Sequence, residues 1–130
     1  MRNNDILVVD DENLILMAMK RMLSPEGFNI HTAKRVEPAF ELFKESNPFL
    51  MLCDLKLENH VDGATLAGMI RRANPYCVNI CITGNLSPFD KGYLLGGGAF
   101  SDILMKPFDI ELLRKVVNYA SDKYERWKAY

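Results

Sequence analysis

The chain has 130 residues, with 16 Lys plus Arg against 17 Asp plus Glu and a formal net charge of −1. A composition of 48% hydrophobic and 25% charged residues is that of a folded globular domain, and a domain of this length buries roughly 65–70% of its extended surface. Interspersed charge excludes bulk attraction to nucleic acid or anionic lipid, and the apolar stretch Ile6 to Val9 is too short for a signal-peptide core or a membrane span.

In chain order, Ile6-Leu7-Val8-Val9 reads as a strand ending in Asp10-Asp11. Leu14, Met17, Ala18 and Met22 then repeat at helical spacing, and Pro25 and Gly27 close that helix. Phe28 to Ala33 alternates as a half-buried strand does. A second helix follows with Ala39, Phe40 and Phe43 inward, and Asn47-Pro48 ends it. Phe49 to Cys53 is a continuous apolar run, as in a central parallel strand covered on both faces, with Asp54 at its end. A loop from Lys56 to Gly63 leads to a helix carrying Leu66, Met69 and Ile70. Cys77 to Ile82 is a fourth strand, ending at Thr83-Gly84. Ser87-Pro88-Phe89-Asp90 has the signature of a helix start. A fifth strand runs from about Phe100 to Met105 and ends at Lys106-Pro107, and a last helix begins near Asp109.

Cys53, Cys77 and Cys81 make an odd count in apolar company, which reads as buried thiols in a reducing compartment. A zinc reading of Cys77 and Cys81 lacks a second ligand pair, with His31 and His60 far off in sequence.

Strand–helix alternation repeated five times, without a linker or composition break, predicts a doubly wound five-stranded parallel α/β sheet. Ligands of such sheets bind beyond the carboxyl ends of the strands, near the switch in strand order. Asp10 and Asp11, Asp54, Thr83 and Lys106 all fall at strand ends and so converge on one rim. Taken singly, each has an ordinary explanation. Asp-Asp-Glu suits a helix N-terminus, Asp54 suits a turn, and Lys106-Pro107 suits a solvated loop before a helix. Taken together, crowded carboxylates call for a cation such as Mg²⁺. A lysine and a threonine beside them suit a phosphoryl group.

Ile6-Leu7-Val8-Val9-Asp10-Asp11-Glu12, Asp54 after its apolar strand, Asp62-Gly63, Thr83-Gly84 and Lys106-Pro107-Phe108 resemble the receiver domains of two-component response regulators, the chemotaxis-regulator type among them. The likeness covers about residues 4 to 122. It implies a flavodoxin-like (βα)5 fold with strand order 2-1-3-4-5. It also implies a cytoplasmic regulatory domain that catalyses only its own phosphorylation and slow dephosphorylation. Asp54 is then the phosphoacceptor, taking its phosphoryl group from the phosphohistidine of a sensor histidine kinase or phosphotransfer protein. Asp10, Asp11, Asp54 and the backbone carbonyl of Lys56 would hold Mg²⁺, while Thr83 and Lys106 would bind phosphoryl oxygens. The Lys106–Pro107 peptide is expected to be cis, as in the family.

The chain also departs from the pattern. The loop from Asp54 to Asp62 is one residue longer than usual and lacks a common proline. His60 in that loop reads as a plain loop residue. Lys56 and Asn85 stand where receivers tune phosphoryl lifetime, and Gly84 leaves the pocket open. Ile103 occupies the place of the usual switch aromatic, and Gly96-Gly97-Gly98 precedes the last strand. Ile110, Leu113, Val117, Ala120, Tyr124 and Trp127 form a heptad seam, in which Tyr124 and Trp127 read equally well as domain edge or as a surface for a dimer or effector. The last strand with the fourth and fifth helices is the surface the resemblance offers for such contacts.

The expected organisation is one receiver domain over 1–130, with 123–130 a helical extension or the start of a linker. It either stands alone or belongs to a longer protein. Two other readings compete with the phosphoacceptor. One is a receiver-like scaffold that acts through protein binding without phosphorylation. The other is a phosphatase, which would want Asp-x-Asp where Asp54-Leu55-Lys56 stands.

Overall fold

A computed structural model describes residues 2–57, 62–84, 92 and 96–129. Five parallel strands form one sheet: β1 (Asp5–Val9), β2 (Asn29–Ala33), β3 (Leu50–Asp54), β4 (Val78–Thr83) and β5 (Asp102–Met105). Their order is β2-β1-β3-β4-β5, the order expected. Helices α1 (Asn13–Leu23), α2 (Val36–Ser46), α3 (Asp62–Ala73) and α4 (Ile110–Lys128) complete the described elements. The helix start read at Ser87, together with His60 and Asn85, lies outside the described residues.

Two apolar layers hold the sheet. Ile6, Val8, Leu50, Leu52, Ile80 and Ile82 face α1 and α4, and the alternate residues Leu7, Val9, Met51, Cys53 and Cys81 face α2 and α3. Period-two alternation along central strands covered on both faces explains why they read as unbroken apolar runs. The chain reverses where the sequence supplies turn chemistry. Ser24–Glu26 forms a 3₁₀ turn closed by Gly27 at φ 94°. Asn47 caps α2 at φ 49°, in the left-handed region asparagine tolerates. Asp109 accepts a 2.8 Å hydrogen bond from Leu112 N at the start of α4.

Three features differ from the sequence reading. In α1 the buried residues are Leu16, Met19 and Leu23, whereas Leu14 is 77% and Met17 52% exposed. Every residue from Leu14 to Met19 is apolar, so periodicity alone does not select the inward face. Tyr124 is core, 6.2 Å from Phe49 between ring centroids, with its hydroxyl accepting from Asn3 Nδ2, and only Trp127 of that pair is exposed. Phe100 is buried but lies outside β5, and Asn79 bonds the residues on either side of it.

The cysteines are free and buried. Burial pushes the Cys77 thiol up to about 12. Burial, reinforced by the negative charge of Asp54, does the same for Cys81. None should react with an aromatic disulfide reagent at pH 8 in the native state, and all three should react in urea. Rapid modification of the folded protein would contradict this packing.

Candidate functional site

The order β2-β1-β3 makes the crossovers leave β1 and β3 in opposite directions, opening a crevice between their carboxyl ends. Into it the chain delivers Asp10, directly after four wholly buried residues of β1, and Asp54, the last residue of β3. Asp10 is fully buried. Its backbone N donates to Ala33 O at 3.1 Å, and its Oδ1 accepts from Glu12 N at 2.9 Å, which fixes the carboxylate in place. Asp11 and Glu12 are exposed beside it. One carboxylate oxygen from each of Asp10, Asp11, Glu12 and Asp54 lies within 4.8 Å of the others, a set of hard oxygens that suits Mg²⁺.

Lys106 follows β5 directly and bridges this cluster. Its Nζ donates to Asp10 Oδ2 at 2.9 Å and Asp54 Oδ2 at 3.2 Å, and stands 3.9 Å from Glu12 Oε1. Its backbone N donates to Thr83 O at 2.8 Å, which ties the lysine to the end of β4, and the Lys106–Pro107 peptide is cis. Thr83 is buried as the last residue of β4. Lys56 is exposed, and its N donates to Asp54 Oδ1 at 3.3 Å, so both oxygens of Asp54 are oriented.

The electrostatics of the central pair are uneven. Burial pushes the Asp10 carboxyl above its usual range, and the hydrogen bond and charge of Lys106 only partly oppose this. For Lys106, burial works to lower the pKa, but the hydrogen bond and charge of Asp10, then Asp54, outweigh it and leave the ammonium more basic than usual. The lysine gains from pairing, while the acid does not recover its burial. With a folded-state pKa above its unfolded value of 3.8, Asp10 favours folding below pH 3.8, and that contribution is lost as pH rises through the raised value. At pH 7 and with divalent ions chelated, Asp10→Asn should therefore raise the unfolding free energy in urea by about 1 kcal/mol. A clear fall would show that pairing with Lys106 outweighs burial.

Every residue the sequence placed on the rim is found there, from four strand ends. Two contributors were not assigned a role. Glu12 joins the acid cluster and the lysine, a position signalled only by following Asp11. Gly63 packs on the backbone of Asp54 and Leu55: a Cβ there would overlap Asp54 O and stand 3.0 Å from Leu55 Cα, while Gly63 N donates to Leu55 O at 3.1 Å. Gly84, by contrast, has room for a methyl group, the nearest atom being Lys106 Cβ at 3.9 Å.

Sheet order and rim together define a flavodoxin-like α/β domain with its site at the strand-order switch. The family model of the response regulator receiver domain matches residues 6–118, and the chain belongs to that family of regulatory domains. It is 34% identical over 106 residues to the transcriptional regulatory protein SrrA of Staphylococcus aureus, covering 82% of this chain and 43% of SrrA. The chain thus spans less than half the length of the curated relatives it matches. The receiver domain of an HD domain-containing protein from Pseudomonas fluorescens Pf-5 shares the fold, with TM-score 0.90, 24% identity, and coverage of 99% of this chain and 94% of that one. The beryllofluoride-activated NtrC4 receiver domain dimer is similar at TM-score 0.84 and 28% identity, over 93% of this chain and 98% of that one. Among the described residues no helix is long and apolar enough to cross a membrane.

Proposed function

We propose that this chain is a phosphorylatable switch. Asp54 accepts a phosphoryl group from the phosphohistidine of a sensor kinase or phosphotransfer protein, and the change in charge at the rim shifts the domain between two conformations. The observation that carries this reading is the Lys106 ammonium held between Asp10 Oδ2 and Asp54 Oδ2 within a four-carboxylate cluster. Asp54 attacks phosphorus through a carboxylate oxygen. The new O–P bond forms as the N–P bond breaks, and the imidazole leaves with a proton from solvent. Lys106 and the Thr83 hydroxyl take the phosphoryl oxygens, and the Lys56 N–H orients the acceptor. Asp10, Asp11, Asp54 and the Lys56 carbonyl are the groups that would hold Mg²⁺, which when bound neutralises charge on the transferring group. A scaffold acting without phosphorylation is not favoured, because it gives the converged rim no task.

Incubation with acetyl phosphate and Mg²⁺ should add one phosphoryl mass to the native chain. Chelation or Asp54→Ala should abolish the addition, and an unmodified native chain beside a modified control receiver would refute the proposal.

The donor must approach this rim. The exposed Leu14 and Met17 stand on α1, which begins one residue after Glu12. We assign them to the donor's docking face. Leu14→Asp should slow transfer from the cognate phosphohistidine protein by roughly tenfold while leaving acetyl phosphate uptake unchanged. Equal slowing with both donors would place the residue in the chemistry instead.

The output is assigned to the last strand and last helix, as a homodimer or effector contact, where Met105, Leu112, Tyr119 and Trp127 are exposed. One receiver domain is assigned over 1–130, with 123–130 a helical extension or the start of a linker although Tyr124 itself is core, and the setting as the cytoplasm.

A further inference from the structure

Asn79 breaks the pattern of β4. Its strand neighbours are apolar, yet its carboxamide stands in the core and only 4% of the residue is exposed. A buried amide is tolerated when its hydrogen bonds are made, and a satisfied one fixes its surroundings more rigidly than apolar packing does. Here Nδ2 donates to Ala67 O in α3 at 3.1 Å and to Ala99 O in the segment before β5 at 3.2 Å. The Asn79 carbonyl accepts from Ser101 N at 2.8 Å and from Ser101 Oγ at 3.2 Å. Residue 79 thus grips both sides of Phe100, whose side chain is buried in the layer shared with α3.

The same helix is tied to the acceptor at its start. Gly63 N bonds Leu55 O, and Gly63 lies against the Asp54 carbonyl too closely for any side chain. Gly63 and Ala67 are one helical turn apart, so α3 carries displacement of the acceptor's backbone to the Asn79 amide as a rigid lever. The amide passes it to residues 99–101, which lead straight into β5 and Lys106. Ile103 lacks the hydroxyl through which a tyrosine at that place would couple, and this route along the α3 face needs none.

We propose that Asn79 is a positioning residue that couples the acceptor rim to the segment entering β5. The inference rests on the phosphoacceptor reading. The test is amide hydrogen exchange of the full chain, with and without beryllofluoride and Mg²⁺, for native protein and Asn79→Leu, with acetyl phosphate uptake measured in parallel. Leucine keeps the shape and removes both donors.

Native protein should change its exchange at 62–73 and at 96–101 on activation. Asn79→Leu should take up phosphoryl to a level within roughly twofold of native and keep the change at 62–73. Its resting exchange at 96–101 should be faster by roughly tenfold, with no further response there. A merely structural role would speed exchange equally in both states and leave the activation difference intact, which would overturn the proposal. Should the leucine variant not fold, Asn79→Ser, too short to reach both carbonyls, must lose the same response. A native response confined to 62–73 would also overturn it. Absence of phosphoryl uptake in native protein would instead remove the phosphoacceptor reading and this inference with it.

Discussion

Lys106→Met should leave a folded domain that is less stable without Mg²⁺ and nearly inert as a phosphoacceptor. The side chain is 15% exposed, and its ammonium is the only cation paired with Asp10 and Asp54 among the described ion pairs. Methionine fills much of the same volume and removes the charge, so Asp10 stays buried beside three other acids without compensation. Removing one partner of a buried pair typically costs about 3–5 kcal/mol. Access to solvent at Asp54 brings the expected loss here to about 2–3 kcal/mol, read as the shift in urea unfolding with divalent ions chelated. Added Mg²⁺ should restore more stability to the variant than to the native chain, because the cation supplies the compensation the lysine gave. Phosphoryl uptake from acetyl phosphate should fall by roughly 10²–10³-fold, the scale for removing one preorganised charge from a transferring group. A variant as stable as native in chelator would show that Lys106 does not neutralise the cluster.

Gly63→Ala should be strongly damaging for a single added methyl group. The obstructing atoms are the Asp54 carbonyl, which a Cβ would overlap, and the Leu55 Cα and carbonyl at 3.0 Å, all backbone, so no side-chain rotation relieves the contact. Either α3 lifts at its first turn, breaking the Gly63 N to Leu55 O bond, or the end of β3 moves and displaces Asp54. The expected loss is on the order of 3 kcal/mol, at the upper end for overpacking. Phosphoryl uptake should drop even at temperatures where the variant is folded. Gly84→Ala is the control, since its nearest neighbour, at 3.9 Å, is in ordinary contact, and it should change stability by less than about 0.5 kcal/mol. Similar behaviour of the two variants in thermal unfolding would contradict the close approach of α3 to Asp54.

The rim was legible because parallel α/β sheets make its logic one-dimensional. Apolar runs locate the strands, their ends locate the rim, and Asp10, Asp54, Thr83 and Lys106 stand at those ends. What was not legible depends on three-dimensional proximity. Leu14 and Leu16 are the same residue type two positions apart, and only the packed sheet decides that the second faces inward. Tyr124 reads as an edge aromatic until Phe49 and Asn3 are seen beside it. Asn79 passes for an interruption in an apolar strand, because its partners Ala67 and Ala99 offer only backbone carbonyls, which leave no mark in a sequence. The demand at residue 63 is likewise invisible, since it comes from a carbonyl nine positions earlier.

The central claim is that Asp54 carries the phosphoryl group, and borohydride reduction tests it most directly. Native chain treated with acetyl phosphate and Mg²⁺, reduced and sequenced by mass spectrometry should show homoserine at position 54 and at no other acid, with none formed in chelator. Homoserine at Asp10, Asp11 or Glu12, or unaltered aspartate at 54 beside a modified control receiver, would contradict the account.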